Sequence, residues 1–431
     1  MAVSSKSGAA APTGTVSLST GMARPILGYE CTVVKAAAWL CYHHPAHETG
    51  AKLRLIVFTG KGGSGASTLA AGTAAIAAEA GQRTVAFGLG RGLGVAFDAR
   101  LASEPAVLSD SLRAVEVLAG SAEPDEFREW LEDLLDWRGM DVSLAEDLAG
   151  MPGLSHISRL LELAHYAEDS GYEVLVVDAG PLEQFLDLPA ALDAAARWLD
   201  RLFAPRQQTV FDPFVRVFAA DYASAGEDVL DRGRDLLGRL AGLRRLLQDG
   251  SLSAVRIVTT PDRTAASDVR QAIAALSLYC YAVDAIVVSP LLPQVGDPFF
   301  GSVRAEQEAT IKELEGSAGM PVLRSTLLPA PPRGIDAVAA LARAAYATHD
   351  PLAVMHSPEE HSFTQEGDAY VMRLALPFAL REDLQVEQLD DGVAVHLNGR
   401  RCVFPLPEEA RDREAASWSF QESVLRIAFP R

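Results

Sequence analysis

The sequence predicts an α/β protein: a doubly wound, mainly parallel sheet that carries a helical insertion, followed by a small C-terminal all-β sandwich. Three observations predict it. Short apolar runs alternate with long stretches of Ala, Leu and Glu at helical spacing from Leu53 to about Tyr346. A bend of four glycines stands directly between the first run and an alanine-rich segment. From Ser362 the helical period disappears, and apolar residues recur with a period of two.

Composition sets the frame for these elements. In 431 residues, 49% hydrophobic and 22% charged side chains are ordinary proportions for a globular protein, and the length calls for two or three domains. With 57 acidic against 38 basic side chains the formal charge is -19, which repels phosphate backbones and anionic lipid heads. Nucleic acid is therefore not an expected partner. No run reaches the roughly 20 apolar residues that span a bilayer; the best candidate, Cys31 to Cys41, is short and broken by Lys35. The four cysteines, Cys31, Cys41, Cys280 and Cys402, include no CxxC pair. That scatter suits a reducing compartment, and a cytoplasmic location is the expectation.

In chain order, Met1 to Gly28 lack acidic residues and any regular period, so residues 1–52 are expected to form a disordered extension. Cys41, His43, His44 and His47 are metal-binding residue types, but Pro45 and the unpatterned surroundings give them no rigid frame. Order is expected to begin at Leu53-Arg54-Leu55-Ile56-Val57-Phe58-Thr59, a run suited to a strand buried on both faces. Similar runs follow at Thr84 to Phe87, Glu173 to Asp178, Val255 to Thr259, Ala285 to Ser289 and Pro321 to Leu327. Between about 186 and 250 only helical spacing remains. Leu236, Leu240, Leu243 and Leu247 share one stripe, and Phe211, Phe214, Phe218 and Tyr222 share another. Such stripes are core in the first instance, with an apolar groove for a hydrophobic protein client as the alternative. Residues 348–361, with Pro351 and Pro358, are the expected linker between a domain at 53–347 and the sandwich at 362–431. In the sandwich Tyr370, Met372, Leu374 and Leu376 alternate with Val371, Arg373 and Ala375, and Asn398-Gly399 is a hairpin pair.

The chemistry is concentrated in Gly60-Lys61-Gly62-Gly63-Ser64-Gly65-Ala66-Ser67-Thr68. A phosphate cradle needs backbone N–H groups that converge on an anion without Cβ atoms in the way, and a helix N-terminus behind them. The four glycines and the segment from Ser67 meet both needs. Gly60, Gly65 and Ser67 match the G-x-x-x-x-G-K-[ST] loop, but Ala66 stands where its lysine belongs. That lysine sets a cation against the outer phosphates, so its loss is expected to weaken binding and turnover.

The stretch Phe58 to Gly65 resembles the deviant P-loop, GKGGVGK[ST], of the ArsA family of arsenite-pump and tail-anchored-protein-targeting ATPases. The likeness continues through Met151-Pro152-Gly153, Tyr172 to Pro181, Trp198 to Phe203, Val255 to Arg263 and Leu291-Leu292-Pro293. It implies ATP or ADP bound with Mg2+, a homodimer in which Lys61 reaches the twin subunit's phosphates, and Ser67 with Asp178 as magnesium ligands. It also implies that Ser289 takes the place of an asparagine that reads adenine. Other family parts are missing. The DPAH segment, whose Asp helps activate water, is Gly88-Leu89-Gly90-Arg91-Gly92-Leu93-Gly94, and APTGH becomes Gly180-Pro181-Leu182-Glu183-Gln184. The later PLxxEVxG-like loop is Pro329 to Gly334. No catalytic residue is therefore assigned. Arg91 as a substitute cation, and Glu183 or Asp187 as substitute bases, are candidates that the spacing does not single out.

The C-terminal strands resemble the α-crystallin-like sandwich of small heat-shock proteins, which some ArsA relatives carry at this end. The whole chain then reads as a nucleotide-dependent switch or chaperone for hydrophobic clients, with weak or lost ATP hydrolysis. A working ATPase that relies on Lys61 in trans, and a holdase or structural protein that binds no nucleotide, are the alternatives.

Overall fold

The computed structural model describes residues 17–18, 53–118, 126–189, 219–358, 361–389 and 392–430, apart from short breaks at 138, 150–154, 170, 295, 412, 414 and 416. The Cys41, His43, His44 and His47 cluster, the Trp198 to Phe203 segment and the Phe211, Phe214 and Phe218 positions lie outside these residues. Within 1–52, Ser17–Leu18 form a two-residue strand, β1.

The elements from Arg54 onward are β2 (Arg54–Gly60), α1 (Ala66–Glu79), β3 (Thr84–Gly88), α2 (Gly92–Phe97), β4 (Ala106–Val107), β5 (Leu112–Glu116), α3 (Glu126–Trp137), α4 (Leu144–Ala149) and α5 (Ser155–Glu168). There follow β6 (Val174–Pro181), a helical stretch at 182–189, α6 (Ala219–Gln248), β7 (Ser253–Thr259), α7 (Ala265–Leu278), β8 (Val283–Leu291), α8 (Pro298–Ala318), β9 (Val322–Thr326) and α9 (Ile335–Tyr346). These strands form an eight-stranded sheet in the order β4-β5-β3-β6-β2-β7-β8-β9, parallel throughout except for the short edge strand β4. β2 lies in the interior between β6 and β7.

Burial on both faces explains why β2 is apolar without alternation. Ile56 and Phe58 join a core with α1, α2 and α9, while Leu55 and Val57 face the opposite layer, where α3, α5, α6, α7 and α8 contribute. The α6 stripe Leu236, Leu240, Leu243 and Leu247 is buried in this second layer, so among the described residues it is core and not an open groove. Full burial of each such leucine contributes about 1.5–3 kcal/mol. Trp130 of α3 donates its indole N–H to Val229 O at 2.9 Å, which fixes α6 against that helix.

The remaining strands are β10 (Ser362–Glu366), β11 (Ala369–Ala375), β12 (Leu384–Gln388), β13 (Gly392–Leu397), β14 (Arg400–Pro405), β15 (Ser417–Gln421) and β16 (Val424–Phe429). They make two four-stranded sheets, β10-β11-β16-β15 and β1-β12-β13-β14, with β1 added in parallel beside Glu387 and Gln388. Asn398 and Gly399 both take positive φ in the β13–β14 turn, as a type I′ hairpin requires.

The segment joining the two units is pinned by buried charge. Arg256 on β7 is fully buried and donates to both oxygens of Asp284 on β8, at 3.1 and 3.2 Å. It also donates to the Tyr346 hydroxyl and to Pro351 O, both at 2.7 Å. Arg54 donates to Leu352 O at 2.9 Å. Further along, His361 bridges the units: its Nε2 donates to Ser277 O of α7 at 2.9 Å and its Nδ1 accepts the Ala375 N–H at 3.1 Å.

Candidate functional site

The glycine bend opens at the carboxyl end of the interior strand β2. Gly60 is wedged against β7, where a Cβ would stand 1.9 Å from Val258 O, so no side chain fits. Lys61 N–H donates to Val258 O and Ser64 N–H donates to Lys61 O, each at 3.1 Å, which turns the chain back toward α1. Gly63 and Gly65 adopt φ values of 80° and 88°, left-handed conformations that glycine takes without strain. Above Gly62 and Gly63 nothing comes within 4 Å of the positions a Cβ would take. No neighbouring atom therefore crowds Gly62 or Gly63 where a side chain would stand. The Ser64 hydroxyl is buried and has no hydrogen-bond partner among the described residues.

Behind the bend, Ala66, Ser67 and Thr68 begin α1, and the Ser67 hydroxyl bonds to the Asp178 carboxylate at the end of β6. Asp178 is 2% exposed; burial pushes its carboxyl above the usual range, against the opposing effect of Ser67 and the Gly180 N–H. A carboxylate and a hydroxyl side by side at a helix start are a donor set that suits a hard cation such as magnesium. Gly92 crowds this pair. A Cβ there would come 2.1 Å from Ser67 Oγ and 2.7 Å from Asp178 Oδ2, so only glycine lets the loop approach so closely.

The other predicted residues fall as follows. Lys61 is exposed and lies against its own chain: Nζ is 2.8 Å from Asp262 Oδ2, 3.4 Å from Thr264 Oγ1 and 3.8 Å from Asp268 Oδ2. The hydrogen bond that Lys61 donates to Asp262 raises the Lys61 pKa, while Lys61, Thr260 and Thr264 together hold Asp262 well below the usual carboxylate range despite some burial. Ser289 is 6% exposed and its Oγ lies 3.4 Å from the Cβ position of Gly65, which sets it beside the bend. Arg91 is exposed at the start of α2, near Glu116. Glu183 and Asp187 do not face the bend as free bases; Arg400 of the sandwich reaches them at 3.5 and 3.2 Å and also donates to Leu186 O at 2.9 Å.

Two residues near the site escape any motif. Glu116, at the end of β5, accepts the Gly94 N–H at 2.8 Å and so anchors α2; burial raises its carboxyl pKa. Arg159, on α5, donates to Leu89 O at 3.1 Å. Neither shows in spacing alone, since a lone Glu after an apolar run and a lone Arg in a helix are common.

Residues 53–347 match the family profile of the anion-transporting ATPases (ArsA), and residues 367–429 match that of the HSP20-like domain found in ArsA. The chain is similar to a putative arsenical pump-driving ATPase of Chlorobaculum tepidum, at 24% identity across 88% of this chain and 96% of that protein. It is also similar to a putative arsenical pump-driving ATPase of Aquifex aeolicus, at 23% identity across 87% and 99% of the two chains. An uncharacterized protein of Streptomyces coelicolor is 28% identical across 88% of this chain and 97% of its own length. Among the described residues no helix is long and apolar enough to cross a membrane.

Proposed function

Because the chain belongs to the ArsA family of anion-transporting ATPases and ends in that family's HSP20-like domain, we propose that it is an ATP-binding switch for hydrophobic protein clients whose ATP hydrolysis is weak or lost. The observation that carries this reading is the glycine bend at the end of β2, uncrowded at Gly62 and Gly63, with the Ser67–Asp178 pair behind it. Backbone N–H groups of the bend would hold the phosphates, and Ser67 and Asp178 would hold magnesium, which when bound neutralises charge between phosphate oxygens. The buried Ser64 hydroxyl, unpartnered among the described residues, and the Ser289 hydroxyl add polar groups beside the same bend.

Turnover is the weaker function for two reasons. Ala66 supplies no cation, and Gly90 supplies no carboxylate to orient water on the loop where the family carries one. Lys61 must exchange its pairing with Asp262 before it can reach a twin subunit's phosphates in a homodimer. The output reaches the sandwich through the helical stretch 182–189, which follows Gly180 directly: Arg400 grips Glu183, Leu186 O and Asp187 there. A shift of that stretch on binding would loosen the sandwich.

Calorimetric titration of the whole protein with ATP and ADP, with and without magnesium, tests the reading, with phosphate release followed in parallel. Magnesium-dependent binding is expected, weakened on the order of tenfold by Lys61→Ala, with release near background. Steady release that Lys61→Ala abolishes would instead mark a working ATPase. Absence of binding at millimolar nucleotide would leave a holdase that binds none.

A further inference from the structure

A guanidinium taken out of water needs an anion beside it, because the desolvated charge is otherwise uncompensated. Arg256 obeys this rule through Asp284. Arg159 does not. It is 8% exposed, and among the described residues no carboxylate lies within ion-pair distance of it. Its Nη1 donates to Leu89 O, its Nη2 contacts His156 Nδ1, and its Nε, although buried, has no partner among the described residues. Burial lowers the Arg159 pKa with no carboxylate to oppose it. His156 is itself pushed down by burial and by the charge of Arg159, with only Asp187 pulling the other way, and Asp187 is engaged by Arg400. The pair is therefore a buried cation and a partly buried neutral imidazole with spare hydrogen-bonding capacity and no counter-ion among the described residues.

Its position suggests which anion. Leu89, whose carbonyl accepts from Arg159, also donates its N–H to the main-chain carbonyl of Asp178 at 2.9 Å. The guanidinium therefore stands, by way of Leu89, beside the main chain of Asp178 at the carboxyl ends of β3 and β6. From Leu89 the chain runs directly into Gly90-Arg91-Gly92, the loop that packs on the Ser67–Asp178 pair. In the glycine bend itself the cations are committed or missing, since position 66 is alanine and Lys61 is held by Asp262 and Asp268, while Arg91 of the neighbouring loop is exposed. We propose that Arg159, with His156 beside it, is the cation of an oxyanion site that takes a tetrahedral phosphate group, supplied either as free inorganic phosphate or as the terminal phosphate of a nucleotide. A planar fork with an unused Nε–H is suited to such an oxyanion. Only the second source rests on the nucleotide-binding reading.

The test compares the full-length protein with its Arg159→Met variant, which keeps the volume and removes the charge. Thermal unfolding in inorganic phosphate against chloride at equal ionic strength should raise the wild-type midpoint by about 2 °C and leave the variant unmoved. If ATP affinity is the same in both proteins, the source is free phosphate. If ATP binding falls on the order of tenfold in the variant while ADP binding does not, the source is the terminal phosphate. An equal phosphate shift in both proteins, or no shift together with unchanged ATP and ADP affinities, overturns the site. A wild type that binds no nucleotide yet shows the Arg159-dependent phosphate shift loses the proposed function and keeps the site. Should Arg159→Met not fold, Arg159→Lys identifies the Nε–H resonance by its loss, and that resonance must move on addition of phosphate in the wild type.

Discussion

Gly92 illustrates how much a single missing methyl can decide. Its Cα stands against the hydroxyl and carboxylate of Ser67 and Asp178, and any Cβ would overlap both. Gly92→Ala is expected to cost about 1–3 kcal/mol through overpacking and to weaken any magnesium dependence of nucleotide binding. Gly90→Ala is the matched control: nothing lies within 4 Å of its Cβ position, and its effect is expected to stay within about 0.5 kcal/mol. Urea unfolding of both variants reads the difference. At this scale the sequence was partly legible. The glycine bend is legible because its four glycines stand between an apolar run and an alanine-rich stretch, and Ser67 and Asp178 sit at the ends of the elements those runs mark. The commitments of Lys61 to Asp262 and of Arg159 to Leu89 O are not legible, since 201 and 70 positions separate the partners.

Among the elements, the interior strands could be read because both faces are buried and leave unbroken apolar runs, as in β2 and β6. β5 was not foreseen, because Arg113 and Glu116 interrupt Leu112, Ala114 and Val115 and the run looks like a helix fragment. The contact between α7 and β11 through His361 was equally hidden, as its two partners belong to different units. It carries a pH dependence whose sign follows from burial. The imidazole is pushed down to about 4, below its ordinary 6.5, so the unfolded chain binds this proton more readily than the folded one. Stability from this contact is complete above pH 6.5 and is lost as pH falls toward 4, at up to about 1.4 kcal/mol per pH unit. His361→Asn should flatten that slope in urea titrations at pH 7 and pH 5; an unchanged slope would place the dependence elsewhere.

For the whole molecule, the prolines at 351 and 358 point to a linker over 348–361, but they say nothing of how that stretch is fastened. Asp284 neutralises Arg256, which in turn holds Tyr346 and Pro351 O, and Arg54 holds Leu352 O. Asp284→Ala leaves a buried guanidinium uncompensated and is expected to cost about 3–5 kcal/mol, measured as a shift in the urea midpoint. The same variant should expose both units together, so fluorescence and far-UV circular dichroism ought to report one coincident transition; separate transitions would show that the sandwich melts alone.

That fastening also bears on wear and tear. A peptide cut by a protease in the stretch after Tyr346 would sever the chain without severing the molecule. Pro351 and Leu352 would stay gripped on one side, His361 on the other, and Arg400 would still clasp the 182–189 stretch. The two fragments would travel as a single particle until the gripping charges were removed.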